Sequence, residues 1–86
     1  MSEDLKQQFE AAAKAVNNLE QRPSNEDLLA LYALYKQAKN GDVTGSRPGG
    51  FDFAGGAKYD AWSELQGVSP EDAMQRYVSK VESLKG

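Results

Sequence analysis

The sequence predicts an all-α protein, and three observations predict it. Apolar residues recur at helical spacing in several stretches. Capping signals stand immediately before two of those stretches. No segment alternates with the period of two that a half-buried strand requires.

Each element follows in order. Ser2 can cap a first helix, and Glu3 and Asp4 sit in its first turn, where the helix dipole favours negative charge. Leu5, Phe9, Ala12, Ala13, Val16 and Leu19 then recur at helical intervals, so this helix is expected from about Glu3 to Asn18. Pro23 stops any continuation. Ser24 caps the second helix, with Asp27 at N3 as a variant capping box. That helix runs without a breaker to Asn40, and Gly41 suits the C′ position. Lys36 and Lys39 near its end match the dipole.

From Gly41 to about Gly56 the helical pattern dissolves among glycines and Pro48. The stretch is expected to be one long ordered loop, because Phe51 and Phe53 call for burial; loops this long in compact domains are often functional. A short third helix is expected from about Gly56 to Leu65, carrying Ala57, Ala61, Trp62 and Leu65. Ser69-Pro70-Glu71-Asp72 is a strong start signal: a capping serine, proline at N1 and acids in the first turn. The fourth helix is expected from about Pro70 to Leu84, with Ala73, Met74, Tyr77, Val78, Val81 and Leu84 on its apolar face. Four helices with one long connection between the second and third make a bundle.

Composition narrows function. The 86 residues suit one domain, 1–86, with a modest core. Cysteine and histidine are both absent, so no thiolate nucleophile, no Ser-His-Asp or Cys-His arrangement and no cysteine zinc site can be built. The acids fall at helix starts and on solvated faces, not in a pair suited to acid–base work. A net charge of −3 argues against nucleic-acid binding and against a polybasic membrane anchor. No apolar run approaches the roughly 20 residues of a membrane span, and no leader pattern is visible. The expectation is a cytoplasmic protein without a stable membrane anchor.

Three residues of the second helix stand out. Tyr32, Tyr35 and Lys36 lie at i, i+3 and i+4 and share one face. They read either as a core stripe whose lysine snorkels to water or as part of a ligand site. The second reading needs another cation, and Lys58, beside Tyr59 and Trp62, is the candidate. Two tyrosines and two lysines around one pocket would suit a phosphorylated aromatic ligand: lysine offers compact charge to phosphate, tyrosine a hydroxyl and a stacking face. Spacing alone leaves both readings open.

The order of blocks then resembles a known family. Tyr32-Ala33-Leu34-Tyr35-Lys36-Gln37-Ala38, Gly41-Asp42, Arg47-Pro48-Gly49, Asp52-Phe53 and Ala57-Lys58-Tyr59-Asp60-Ala61-Trp62 resemble the acyl-CoA-binding protein family, and Leu65, Gly67, Ser69, Glu71-Asp72-Ala73-Met74 and Tyr77 continue the match. The resemblance implies a bundle of up-down-down-up topology. It implies a monomeric carrier of medium- to long-chain acyl-CoA esters with no catalytic residues and no cofactor. It implies that Tyr32, Lys36 and Lys58 grip the 3′-phosphate, that Tyr35 packs on the adenine with Ala13 nearby, and that Tyr77 contributes from the fourth helix. Leu28, Leu29 and Ala57 would floor the acyl groove. Asn17, Ala54 and Gly56 stand where relatives often carry basic residues, and Tyr59 where many carry tryptophan. The alternative from a different class is a helical module that binds an apolar segment of a partner protein; thioester hydrolysis comes third.

Overall fold

The computed structural model describes residues 3–85, and the expected Ser2 cap lies outside them. Four α-helices follow one another: α1 (Glu3–Ala15), α2 (Asn25–Asn40), α3 (Phe53–Ser63) and α4 (Pro70–Leu84). No strand occurs among the described residues. The first helix reaches Asn18 as expected, but its last three residues, Val16–Asn18, tighten into a 3-10 turn, a common way to end a helix.

The caps behave as their chemistry requires. Ser24 Oγ accepts from Asp27 N at 3.1 Å, and Ser69 Oγ accepts from Asp72 N at 3.1 Å. Only half of the expected capping box forms at Ser24, because the Asp27 carboxylate pairs with Lys80 of α4 at 2.6 Å instead. Gly41 closes α2 at φ +79, a left-handed conformation that glycine adopts without steric penalty.

Two expectations are corrected at α3. The helix starts at Phe53 rather than Gly56, because Asp52 caps it by accepting from Gly55 N at 2.9 Å. Phe51 and Phe53 are not buried: they are 101% and 83% exposed. Polar clips hold the loop instead. Arg47 forms two bonds to the Asp60 carboxylate, at 2.9 and 3.1 Å, and Tyr59 Oη donates to Gly45 O at 3.0 Å.

Named contacts fix the topology. Phe9 meets Tyr77, while Asn18 and Leu19 lie near Leu84, so α1 and α4 are parallel. Asp27 pairs with Lys80 and Gln37 bonds Val68 just ahead of α4, so α2 and α4 are antiparallel. Lys58 reaches Tyr32 and Lys36 reaches Trp62, so α2 and α3 are parallel. This is up-down-down-up. Parallel neighbours α2 and α3 need a connection that runs back along a helix. The 16-residue α2 is about 24 Å long, and the twelve residues from Gly41 to Asp52 can span up to about 40 Å.

The core joins α1, α2 and α4 through Phe9, Ala12, Leu31, Leu34, Ala38, Ala73, Met74, Tyr77 and Val81. A seam between α1 and α4 forms, with Ala12 inside it and Ala13 at its edge. The Cα trace measures 37 × 31 × 15 Å. Its thin dimension is that of two packed helix layers, since helix axes lie about 8–10 Å apart and the Cα cylinder is about 4.6 Å across. Room for a ligand therefore lies in open grooves on the faces.

Candidate functional site

The site grows from the parallel packing of α2 on α3. Tyr32 and Lys36 are one turn apart on α2; Lys58 and Trp62 are one turn apart on α3. The Lys58 ammonium lies 5.2 Å from the centre of the Tyr32 ring, and the Lys36 ammonium 5.2 Å from that of Trp62. Each lysine thus crosses the seam to a ring on the other helix. Both distances fall within the cation–π range of about 6 Å. Neither lysine has a carboxylate partner among the described residues, whereas Lys80 and Lys85 pair with Asp27 and Glu82. The two cations that spacing alone could not bring together share one seam.

A groove opens beside this seam. It holds about 420 Å³ and is lined by Leu28, Leu29, Tyr32, Ala54, Ala57 and Lys58, with Arg22 and Asn25 at its end. A larger groove of about 640 Å³ lies across the α2–α3 pair, floored by Leu29, Ala30, Ala33, Leu34, Ala57, Ala61 and Leu65. Leu29 and Ala57 line both. The larger groove carries Glu26, Asp60 and Glu64 on its wall, with Arg76 the one cation, so it suits an apolar chain better than an anionic head. The smaller groove adjoins Lys58 and is the better seat for both.

Tyr35, Tyr77 and Ala13 belong to an adjoining cluster. The Phe9 ring stacks on Tyr35 (5.4 Å, 27°) and meets Tyr77 edge-on (5.1 Å, 67°). Ala13 packs, half-buried, against the same cluster. Tyr35 keeps 37% of its surface exposed while Tyr77 keeps 5%. Burial, and behind it the neighbouring Tyr35, pushes the Tyr77 hydroxyl above its ordinary pKa, so it stays a neutral donor. Of the four tyrosines, only Tyr59 has its hydroxyl bonded within the described residues. The hydroxyls of Tyr32, Tyr35 and Tyr77 are left for a ligand or water.

Gln37 positions the seam, a role that no local pattern marks. Its side chain is fully buried yet satisfied: Nε2 donates to Asp42 Oδ1 and to Val68 O, each at 2.8 Å, and Oε1 accepts from Trp62 Nε1 at 3.1 Å. Trp62 Nε1 also donates to Gly41 O at 2.9 Å. One amide therefore ties α2 to the loop, to α3 and to the start of α4, and fixes the ring on which Lys36 rests. Asp42 Oδ1 also accepts from Gly67 N at 2.8 Å; that bond and the one from Gln37 hold the Asp42 carboxyl below the usual range. Arg22, Asn25 and Trp62 likewise join the site beyond the residues that the sequence predicts. Asn25 could have been found, since it lies seven residues before Tyr32 and so on its face.

The departures from the family pattern also acquire positions. Ala54 lines the smaller groove. Gly56 is buried, and a Cβ there would stand 2.8 Å from Arg47 Nη2. The Arg47 guanidinium lies over Gly56 and is neutralised by Asp60, so it brings no free charge to the site.

Fold and grooves together define a small all-α ligand-binding bundle. Comparison with known proteins is specific. The family described as acyl CoA binding protein matches residues 6–81. The acyl-CoA-binding domain-containing protein 6 of Arabidopsis thaliana is 55% identical over 80 residues, covering 93% of this chain and 87% of its own. The acyl-CoA-binding protein homolog of Manduca sexta is 53% identical over 81 residues, covering 93% and 90%. The crystal structure of Oryza sativa acyl-CoA-binding protein 2 superposes with a TM-score of 0.89 at 46% identity, covering 94% of this chain and 88% of that one. That of the Moniliophthora perniciosa protein gives 0.87 at 41%, covering 98% and 80%. The chain belongs to the acyl-CoA-binding protein family.

Proposed function

We propose that this chain binds medium- to long-chain acyl-CoA esters and carries them without catalysing a reaction on them. The observation that carries the reading is the crossed pair Lys58–Tyr32 and Lys36–Trp62 beside a groove of leucines and alanines. Tyr32, Lys36 and Lys58 hold the 3′-phosphate through charge-assisted bonds. Tyr35 offers its exposed ring to the adenine. Tyr77, mostly buried, supplies a hydroxyl at most and otherwise supports that ring.

The acyl tail lies along Leu28, Leu29 and Ala57. Chains that outgrow this groove pass over Leu29 and Ala57 into the larger one. Burial contributes about 0.8 kcal/mol per methylene, so ten methylenes contribute about 8 kcal/mol before ordering costs. Long chains should therefore bind more tightly than short ones, and free CoA weakly. No His or Cys is present to attack a thioester, which favours storage and transport over hydrolysis. Among the described residues no helix is long and apolar enough to cross a membrane. A monomeric, cytoplasmic carrier and pool former fits these features.

Calorimetric titration with octanoyl-, palmitoyl- and free CoA and with palmitate tests the reading. Palmitoyl-CoA should bind far more tightly than either free CoA or palmitate. Palmitate binding as tightly as palmitoyl-CoA would remove the nucleotide site from the account. A second reading, a helical module for an apolar segment of a partner protein, is favoured by the exposure of Phe51 and Phe53. It predicts binding that ignores the nucleotide.

A further inference from the structure

Three lysines stand over aromatic rings in this molecule, and the head site described above uses two of them. The third is Lys39. Its ammonium lies 5.9 Å from the centre of the Tyr35 ring. It follows Tyr32 by seven residues, Tyr35 by four and Lys36 by three, which places all four on one face of α2. Lys39 is exposed and has no carboxylate partner among the described residues.

We propose that Lys39 is a third cationic contact for the phosphates of the bound nucleotide, extending the Tyr32–Lys36–Lys58 set toward the C-terminal end of α2. The inference rests on the acyl-CoA reading and adds a residue to it. The electrostatic argument is local. The chain carries a net charge of −3, and Arg47, which stands over Gly56 of α3, is bonded twice to Asp60. Lys39 is both unneutralised and on the correct face. Tyr35 is its neighbour, so a base packed on that ring brings its phosphates within the reach of a lysine stem. The competing role is a favourable position in the last turn of α2, where a cation complements the dipole. That role affects helix stability and leaves ligand affinity unchanged.

The two roles separate by measurement. Lys39→Gln and Lys39→Arg are made in the full chain and titrated with palmitoyl-CoA, CoA, 3′-dephospho-CoA and palmitate at low and high salt, with thermal unfolding in parallel. Lys39→Gln should weaken CoA and palmitoyl-CoA binding about two- to fivefold at low salt, as expected for one exposed charged contact. The difference should narrow at high salt, Lys39→Arg should retain affinity, and palmitate should respond to neither. A loss confined to ligands with a 3′-phosphate assigns Lys39 to that group; a loss shared with 3′-dephospho-CoA assigns it to the diphosphate. Unchanged CoA affinity in Lys39→Gln, with or without a lower melting temperature, overturns the inference while leaving the carrier reading intact. If the wild-type chain fails to prefer palmitoyl-CoA over palmitate, both fall.

Discussion

Lys58 of α3 holds its ammonium 5.2 Å from the centre of the Tyr32 ring on α2. The contact crosses between two parallel helices and is repeated one turn on by Lys36 and Trp62. A cation over a ring face keeps its charge and its N–H donors, which an ion pair would occupy. The two lysines are thus held in place without being neutralised, a suitable resting state for a site that receives a phosphate.

Removing one of these cations should weaken the head site specifically. Lys36→Ala should reduce palmitoyl-CoA affinity by about 1.5–3 kcal/mol, the usual worth of a hydrogen bond to a charged group. Lys85→Ala, which breaks only the pair with Glu82 at the end of α4, should bind as the wild type does. Calorimetry on the two variants decides, and equal affinities would refute the head site.

Tyr77 serves packing first. Tyr77→Ala should lower stability by about 3–5 kcal/mol by emptying a core position between Phe9 and Tyr35. Tyr77→Phe keeps the ring and removes a hydroxyl with no partner among the described residues, so urea unfolding should change by less than about 1 kcal/mol. Any loss of ligand affinity in Tyr77→Phe then reports a direct contact with the hydroxyl.

Gln37→Leu should be among the more damaging single substitutions. It leaves Val68 O without its donor and removes one partner each from Asp42 and Trp62. A loss of about 2–4 kcal/mol is expected from buried groups left unsatisfied. Urea unfolding measures it, and a change below about 1 kcal/mol would show that the amide ties nothing together.

Acid should weaken the fold through three aspartates. Lys80 holds the Asp27 carboxyl low, the bonds from Gly67 and Gln37 hold Asp42 low, and Arg47 holds Asp60 low. Each folded pKa lies below the unfolded one. The stabilisation is therefore complete above the unfolded value of about 4 and is lost as pH falls through the folded values. Melting temperature should be flat near neutrality and fall below about pH 4. Asp42→Asn should flatten part of that fall; an unaltered acid profile in this variant would count against its role.

The larger groove should set the response to chain length. Ala30→Phe places a ring over its floor and replaces no residue that lines the smaller groove. Octanoyl-CoA affinity should not change. The extra affinity gained from palmitoyl- to arachidoyl-CoA should shrink. A gain as large as in the wild type would confine the tail to the smaller groove.

Local chemistry explains which features were legible in the sequence. Ser24, Gly41, Ser69 and Pro70 act within one turn of their own position, so α2 and α4 could be bounded by reading. The start of α3 lies three residues before the position that periodicity predicts, because Asp52 is an N-cap inside a glycine-rich run, where periodicity has no grip. Residue type predicts burial for Phe51 and Phe53, but exposure depends on what the rest of the chain places above them, and polar clips from Arg47 and Tyr59 hold the loop without it.

Local pattern is enough to place α2 and α4, their caps at Ser24 and Ser69 and the shared face of Tyr32, Tyr35 and Lys36, because each depends on residues within a turn or two of one another. Long-range packing alone makes Lys58 meet Tyr32 and Lys36 meet Trp62, and lets Gln37 tie three segments into one network. All of these but the Gln37–Asp42 bond join residues 25 or more positions apart. Their existence follows from how the long connection lays α3 parallel to α2, a matter of global packing that no local pattern encodes.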